Sequence, residues 1–267
     1  MKKIGKILLG LLCILGSAAA QAAPVKILFF YPGGEGSQEA AQPLLDGFAE
    51  ALKKVSGGKL EPSVTYMADK AAGLEFIKTQ KPAVAVLSLD TYYQYAPTWG
   101  ATMIAKTLQL PSGDGSDQYF LIGKKGAVLP ASGAITLSSR RPLDPNFLTG
   151  KLFPQFKTLT PTIQTLRNPI GALRAVGSGE KSDFILLDQF EWANVSRLKA
   201  AWVAGLGVVA ESQKISSAPV IAFPGVLNAE LSTVLQQALV KIGQDASAQP
   251  TLQELRMKGF KAATSPD

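Results

Sequence analysis

The segment Asp144-Pro-Asn-Phe-Leu-Thr-Gly-Lys-Leu-Phe-Pro154 indicates the fold of this chain more clearly than any other stretch. An apolar run at residues 134–137 precedes it and is short enough for a buried strand. Leu152 and Phe153 follow its polar residues as the first turn of an apolar helix face. The order of strand, polar loop and helix start is typical of one unit of an α/β protein.

The polar loop of this segment admits two interpretations. Asp144 or Asn146 can accept hydrogen bonds from the free backbone amides of the first helical turn and so cap the helix. The same amides, together with the helix dipole, make such a terminus a site for an anion. A capped helix without a ligand and an anion-binding loop therefore both remain open from this segment alone.

The segment resembles the signature D-P-x-S-T-S-G-x-L-x-P of the periplasmic phosphonate-binding proteins of ABC transporters. The matching residues are Asp144, Pro145, Asn146, Gly150, Leu152 and Pro154. Thr149 replaces a serine of the signature conservatively. Phe147 and Leu148 stand where the family has the serine and threonine that bind the phosphonate oxygens. The signature therefore keeps its scaffold and loses half of its hydrogen-bonding chemistry.

The resemblance implies the type II periplasmic binding protein fold, an α/β fold of two lobes. Each lobe is expected to be a mostly parallel sheet flanked by helices, with two strands forming a hinge between the lobes. The resemblance covers most of the chain in pattern. It is specific again at residues 215–260, where a long helix, a short helix and a Gly259-Phe260 turn resemble the end of the family's chains.

Residues 1–22 have the organisation of a cleavable signal peptide. Three lysines stand among the first six residues, an apolar run follows at 7–16, and Ala20-Gln-Ala22 supplies the small residues that a signal peptidase needs. The apolar run is too short for a permanent membrane helix. Cys13 lacks the small preceding residue of a lipoprotein site. We predict cleavage after Ala22 and a periplasmic protein.

Composition excludes several classes of function. Loss of three of the 27 basic side chains, against 20 acidic ones, lowers the net charge from +7 to +4, which is too small for a nucleic-acid-binding surface. The chain has no histidine, and its single cysteine lies in the predicted signal segment. Imidazole-based hydrolases, His/Cys zinc sites and an intrachain disulfide are therefore excluded. No acidic cluster has the spacing of a calcium loop. We predict no cofactor, no metal site and no enzyme activity.

We assign residues 23–115 to the first part of the first lobe from the sequence pattern. An apolar run at 25–31 indicates a buried strand of a parallel sheet. The loop Pro32-Gly-Gly-Glu-Gly-Ser37 follows, and Ser37 caps a helix that ends at Gly57-Gly58. A strand, a helix and a third strand are then predicted at residues 63–67, 68–80 and 83–87.

A polar break at residues 110–117 predicts the crossing into the second lobe, residues 116–211. Asn168 and Pro169 begin a helix there. Strands are predicted at residues 119–123, 134–137, 162–166 and 183–188. Residues 212–267 return to the first lobe with a strand at 219–223, a helix capped by Asn228 and a short helix at 252–257.

Polar residues at the strand ends of both lobes predict a cleft, because ligands of open parallel sheets sit beyond the carboxyl ends of the strands. The candidate ligand-binding residues are Ser37, Ser88, Asp90, Asn146, Thr149, Asn168 and Asp188. In the resemblance, Asn168 falls where a family histidine contacts the ligand, and Asp188 falls at a strand end where the family has Asp or Asn. For Asp90 and Asp188, capping of the following helix is the alternative interpretation.

Three further groups near these loops are ambiguous. The aromatic residues between 92 and 99 form either a stacking wall for a ligand or the packing of a helix. Arg140 and Arg141 either bind an anion in a bidentate manner or lie in solvent. Glu35 and Glu191 would form a catalytic carboxylate pair only at a suitable separation, which the sequence does not give.

The resemblance implies a solute-binding protein that delivers a small anionic ligand, such as phosphate, a phosphonate or a relative, to the permease of an inner-membrane ABC transporter. We expect a monomer whose lobes close on a ligand that bridges the Ser88 loop and the helix start at Thr149. Each missing donor to a buried oxyanion costs about 1–3 kcal/mol. The loss of donors at Phe147 and Leu148 therefore predicts a more apolar pocket for a larger or less charged solute.

Two other functions remain as alternatives. The first is a periplasmic ligand-binding sensor or accessory module of a membrane signalling or respiratory system. The second is an enzyme on the same fold, which the missing histidine and cysteine disfavour.

Overall fold

The computed structural model describes residues 22–263. The predicted signal segment, apart from its last residue, lies outside this range, and so does Cys13. The strands are β1 Ala23–Phe30, β2 Leu60–Met67, β3 Val84–Leu87, β4 Thr102–Gln109, β5 Ser116–Asp117, β6 Tyr119–Lys124, β7 Gly133–Ser139, β8 Leu159–Thr165, β9 Phe184–Asp188, β10 Leu206–Glu211, β11 Ile215–Ser216, β12 Pro219–Ala222 and β13 Met257–Ala262.

Helices flank these strands throughout the described chain. The α-helices are α1 Gln38–Val55, α2 Lys70–Gln80, α3 Leu89–Trp99, α4 Pro145–Phe147, α5 Pro169–Ser178, α6 Gln189–Val195, α7 Ala229–Ile242 and α8 Gln249–Glu254. A π-helical turn at Leu148–Leu152 continues α4, and 3-10 turns occur at Ala201–Gly205 and Ala246–Ala248. The predicted α/β architecture is therefore confirmed.

The first lobe is built on a six-stranded sheet in the order β13-β4-β12-β3-β1-β2. β1 pairs in parallel with β2 and β3, whereas β12 and β13 enter antiparallel. β4 leads the chain out of this lobe and β12 leads it back, so these neighbours must run in opposite directions. The sheet is accordingly mixed, which corrects the expectation of a mostly parallel sheet.

The second lobe is built on a five-stranded sheet in the order β10-β6-β9-β7-β8. β7 pairs in parallel with β8 and β9, while β6 runs antiparallel to β9 and β10. This sheet is mixed for the same reason as the first, because β6 brings the chain into this lobe and β10 takes it out.

The chain crosses between the lobes twice, and the two crossings meet. β5 pairs with β11 in an antiparallel two-stranded sheet, with Asp117 opposite Ile215 and Ser116 opposite Ser216. This pair has the form of the two-strand hinge that the resemblance implies. The residue boundaries assigned to the lobes from the sequence, after residues 115 and 211, stay a prediction.

The end of the chain differs from the sequence prediction. The short helix expected at residues 252–257 is α8, which ends earlier, and residues 257–262 form the edge strand β13. Phe260 pairs with Thr107 of β4, and both Met257 and Phe260 are buried against the first-lobe core. Burial of these two apolar side chains in the sheet outweighs the local helical pattern.

Gly73 of α2 faces the ring of Phe30, which is fully buried in the first-lobe sheet. A Cβ atom added at Gly73 would lie 2.1 Å from Phe30 Cε2. We expect Gly73→Ala to destabilise the protein by about 1–3 kcal/mol, because overpacking of a tight core outweighs the better helix propensity of alanine.

Thermal unfolding would test this expectation, with Gly150→Ala as the matched control. A Cβ atom at Gly150 meets open space. The melting temperature of Gly150→Ala should therefore equal or exceed that of the unchanged protein. Equal melting temperatures for the two variants would contradict the tight packing of α2 on β1.

Candidate functional site

A cavity of about 300 Å³ lies between the two lobes. The first lobe contributes the end of β1, the loop before α1, one face of α1 and the segment between α8 and β13. The second lobe contributes the residues after β7 and β9, and the hinge contributes Asp117. The charged and phenolic residues of the lining are Tyr31, Glu35, Tyr66, Asp117, Arg140, Arg141, Asp188, Glu254 and Arg256.

Strand ends place the polar side chains of this cavity. Tyr31 directly follows β1, Arg140 and Arg141 follow β7, and Asp188 is the last residue of β9. In each lobe the carboxyl ends of neighbouring parallel strands meet at one edge of the sheet. The cleft between the lobes therefore collects these side chains, as the sequence pattern predicts.

Asp188 has two roles in the second lobe. Its Oδ1 accepts a hydrogen bond from the Glu191 amide at 2.8 Å, and the Glu191 side chain accepts one from the Asp188 amide at 2.9 Å. This reciprocal capping box begins α6. The other oxygen of Asp188 pairs with the Arg141 guanidinium. Asp188 thus caps α6, as the alternative interpretation of the sequence proposed, and it also lines the cleft.

Glu35 joins the two lobes through its carboxylate. One oxygen pairs with Arg140 Nη1 of the second lobe, and the other accepts a hydrogen bond from Arg256 Nη2 of the first lobe at 3.1 Å. Arg140 also donates from Nε to Glu191 at 2.8 Å. The hydrogen bond from Arg140 is the main cause that lowers the pKa of Glu35. Two arginines from opposite lobes therefore share one oxyanion.

Arg140 and Arg141 are not solvated arginines, since their side chains are only 15% and 19% exposed. Each lies at the cleft and is neutralised by a carboxylate of its own lobe. Across the cleft, the Arg256 guanidinium stacks over the Phe190 ring of α6 at 4.9 Å. Such cation–π contacts orient a guanidinium without consuming its hydrogen-bond donors.

Asp117 is the most strongly perturbed carboxyl group of the cavity. Burial raises its pKa to about 8, with a smaller contribution from the nearby charge of Asp188, while Arg141 acts in the opposite direction. The group is therefore largely protonated at neutral pH and can donate a hydrogen bond into the cleft. Burial likewise raises the pKa of the Tyr31 phenol, which stays neutral.

Side chains of the two lobes also meet between α3 and α4, where the sequence predicts a bridging ligand. The Tyr93 ring lies 5.6 Å from the Phe147 ring, and Lys151 Nζ lies 4.8 Å above Tyr93. Leu89 packs in the same buried cluster as Phe147 and Leu148. The residues that replace the signature's serine and threonine thus form an apolar contact between the lobes.

The Ser88 segment is the beginning of α3 rather than an open polar loop, which corrects the sequence interpretation. Ser88 is buried and its hydroxyl donates to Asp90 at 2.8 Å, with Thr91 Oγ1 at the same distance. Burial raises the pKa of Asp90. Tyr95 stacks on Trp99 at 5.6 Å within α3, so these aromatic residues pack the helix.

The remaining predicted site residues lie at helix starts outside the cavity. Ser37 accepts from the Ala40 amide at 3.2 Å and begins α1. Asn168 accepts from the Gly171 amide at 2.9 Å and begins α5. Asn146 is exposed, and Thr149 donates to the Pro145 carbonyl at 3.0 Å. Of the seven candidates, only Asp188 lines the cavity, and ligand contact by the others stays a prediction.

Five of the charged and phenolic cavity residues were not identified from the sequence: Tyr31, Tyr66, Asp117, Glu254 and Arg256. Tyr31 ends the predicted first strand, so its polar hydroxyl at a strand end was an available signal. Asp117 is an acidic residue two positions before an apolar strand at the predicted crossing, which was a second signal. Arg256 has a left-handed backbone with φ of 60° in a segment predicted as helix, and no sequence pattern marks it.

No helix within residues 22–263 is long and apolar enough to cross a membrane. Within the same range, no group of three or more acidic, histidine or cysteine side chains is placed to hold a metal ion.

Comparison with known sequences gives one family match. A profile of the family described as "ABC transporter, phosphonate, periplasmic substrate-binding protein" matches residues 35–267. The comparison with curated proteins finds no match.

Several solved structures share the fold. A binding protein component of an ABC phosphonate transporter from Pseudomonas aeruginosa has a TM-score of 0.60 at 16% identity, over 91% of this chain and 82% of that one. PhnD1 from Prochlorococcus marinus, in complex with methylphosphonate, has a TM-score of 0.61 at 13% identity, over 91% and 93% of the chains. A Xanthomonas citri protein bound to ATP has a TM-score of 0.64 at 11% identity, over 91% and 92%. The predicted two-lobe type II class is thereby confirmed.

The raised pKa of Asp117 predicts how stability depends on pH. An unfolded aspartate has a pKa of about 3.9, whereas burial raises the pKa of folded Asp117 to about 8. Between these values the folded state keeps a proton that the unfolded state loses, so stability falls as pH rises. We expect Asp117→Asn to gain melting temperature relative to the unchanged protein as pH increases from 5 to 8.

Asp114→Asn is the control for this pH series. Hydrogen bonds from Ser116 hold the pKa of Asp114 at about 2, so the group is charged in both states over this range. Its melting-temperature difference from the unchanged protein should not vary with pH. A constant difference for Asp117→Asn as well would rule out a protonated Asp117.

Proposed function

Because this chain belongs to the family of periplasmic substrate-binding proteins of phosphonate ABC transporters, we propose that its cleft binds a phosphonate-type oxyanion between Arg140 and Arg256. The family is one of transporter binding proteins and not of enzymes, which confirms the predicted solute-binding function and the predicted absence of enzyme activity. The predicted periplasmic location agrees with the family. Cleavage after Ala22 is part of the proposal and rests on the sequence pattern alone.

The position of the two arginines carries this proposal. Arg140 reaches the cavity from the second lobe and Arg256 from the first, and both already hold the oxygens of one carboxylate. A guanidinium presents planar donors that match the oxygens of carboxylates and phosphonates. PhnD1 from Prochlorococcus marinus binds methylphosphonate on the same fold, which supports a ligand of this class here.

The altered signature supports a change in the donors. Phe147 and Leu148 are 5% and 0% exposed and belong to the second-lobe core, so they offer no hydrogen bonds to a ligand. α4 has only three residues and passes directly into a π-helical turn. Guanidinium groups at the other side of the cleft would replace the hydroxyl donors of the family signature.

A ligand held by both lobes would also drive delivery. Contacts from Arg140 in one lobe and Arg256 in the other exist together only when the lobes are close, so the ligand favours the closed arrangement. Motion about the β5–β11 pair would open and close the cleft. We propose that the closed, loaded monomer docks on the permease of an inner-membrane transporter and releases the ligand there.

Arg140→Gln tests the assignment of the anion. We expect this variant to bind methylphosphonate about 10- to 100-fold more weakly by calorimetry, because a hydrogen bond to a charged group contributes about 1.5–3 kcal/mol. Arg174→Gln, at an exposed position on α5, is the matched control and should bind like the unchanged protein. Equal affinity of Arg140→Gln and the unchanged protein would reject Arg140 as a ligand contact.

A further inference from the structure

One wall of the cavity is apolar, although the family's ligands carry charged groups. Leu44 of α1, Leu110, Phe190 and Leu255 line it and are each only partly buried, so part of their apolar surface faces the cavity. The buried side chains of Phe29 and Met257 also line the cavity. Such a wall stabilises a complex only when an apolar surface of the ligand covers it and removes it from water.

The size of the cavity also exceeds what a small phosphonate needs. Its volume of about 300 Å³ lies at the lower end of the ~300–1,000 Å³ that is usual for sites of drug-sized ligands. Methylphosphonate is a far smaller molecule and would leave most of the apolar wall in contact with water. The space therefore fits a ligand whose apolar part is larger than one methyl group.

The charges of the cavity restrict where an anion can bind. Arg141 pairs with Asp188 within the second lobe, and both partners are largely buried. The Glu35 side chain, in contrast, is 63% exposed, and its carboxylate is held by the two arginines. Its carboxylate can turn into solvent at small cost and release a donor on Arg140 and another on Arg256.

Two contacts hold the backbone next to Glu35 in place. The Tyr66 hydroxyl donates to the Glu35 carbonyl at 3.0 Å, and Gly33 packs closely against Pro142 of the other lobe. Rotation of the Glu35 side chain is therefore sufficient, and the loop itself need not move.

We propose that the ligand is an amphiphilic oxyanion, an anionic head joined to an apolar body of several carbon atoms. The head replaces the Glu35 carboxylate between Arg140 and Arg256, and the body lies along the wall of Leu44, Leu110 and Leu255. This inference rests on the proposed function, because it places the ligand in the same cleft, and it adds the chemical class of the ligand.

Calorimetry of the full mature chain with methylphosphonate and hexylphosphonate tests the ligand class. Burial of one methylene corresponds to about a fourfold gain in affinity, so hexylphosphonate should bind at least tenfold more tightly than methylphosphonate. Hexanol, which has the same chain without the charge, should bind more weakly than hexylphosphonate. Equal affinities for the two phosphonates would overturn the inference and leave the proposed function intact. Absence of binding for both would overturn the proposed function as well.

Leu44→Asn tests the apolar wall through a ratio that a loss of folded protein does not change. We expect the preference for hexylphosphonate over methylphosphonate to fall at least threefold in this variant. Leu198→Asn, at a position 45% exposed and outside the cavity lining, should keep the full preference. An unchanged preference in Leu44→Asn would overturn the placement of the apolar body.

Glu35→Gln tests the replacement of the carboxylate. A neutral amide competes less for the two guanidinium groups, so this variant should bind hexylphosphonate several-fold more tightly. Glu61→Gln removes a surface carboxylate that pairs with Lys53, and it should bind like the unchanged protein. Weaker binding by Glu35→Gln would mean that Glu35 supports the ligand and would overturn the replacement.

Discussion

The carboxylate of Glu35, held between Arg140 and Arg256, is the interaction on which the arrangement of the cleft depends. It connects the loop after β1 with the residue after β7 and so joins the two lobes across the cleft. The side chains of Arg140 and Arg141 are only 15% and 19% exposed and require partners, because an unpaired buried charge is strongly unfavourable. Glu191 and Asp188 supply those partners for the adjacent arginines, and the reciprocal cap of α6 fixes both carboxylates in turn.

The two sides of the lobe interface have opposite chemistry. On one side, Tyr93 and Phe147 join α3 to α4 through apolar and aromatic contact. On the other side, arginines and carboxylates surround a cavity that also has an apolar wall. The family signature places hydroxyl donors at the first side, and this chain has core residues there. The proposed ligand site therefore uses the guanidinium groups of Arg140 and Arg256 on the second side instead of hydroxyl donors on the first.

Much of the fold followed from the sequence, because its signals are local. Apolar runs gave the buried strands β1, β3 and β9, and Ser37, Asn168 and Asn228 cap the helices that they were predicted to cap. β4, β10 and β13 were missed, since their burial depends on partners far away in the chain. Strand direction was also missed, because a crossing between lobes reverses it and no local pattern records the reversal.

The site followed from the sequence only in part. Asp188 was identified because a carboxylate at a strand end is a local signal, and Arg140 and Arg141 were noted with an open interpretation. Arg141 pairs with a carboxylate 47 positions away along the chain, and Arg140 pairs with carboxylates 51 and more than a hundred positions away. Sequence spacing could not reveal such distant pairs. Arg256 enters the cleft only because β13 forms at the edge of the first sheet. Ser37 and Asn168 satisfied the same sequence criterion as Asp188, yet they lie at helix starts away from the cavity.

A crystal structure of the protein grown with hexylphosphonate tests the central claim most directly. We expect phosphonate oxygens within about 3 Å of the guanidinium groups of Arg140 and Arg256, with the Glu35 side chain turned into solvent. A phosphonate bound at the start of α4 near Thr149, with Glu35 still paired to both arginines, would contradict it.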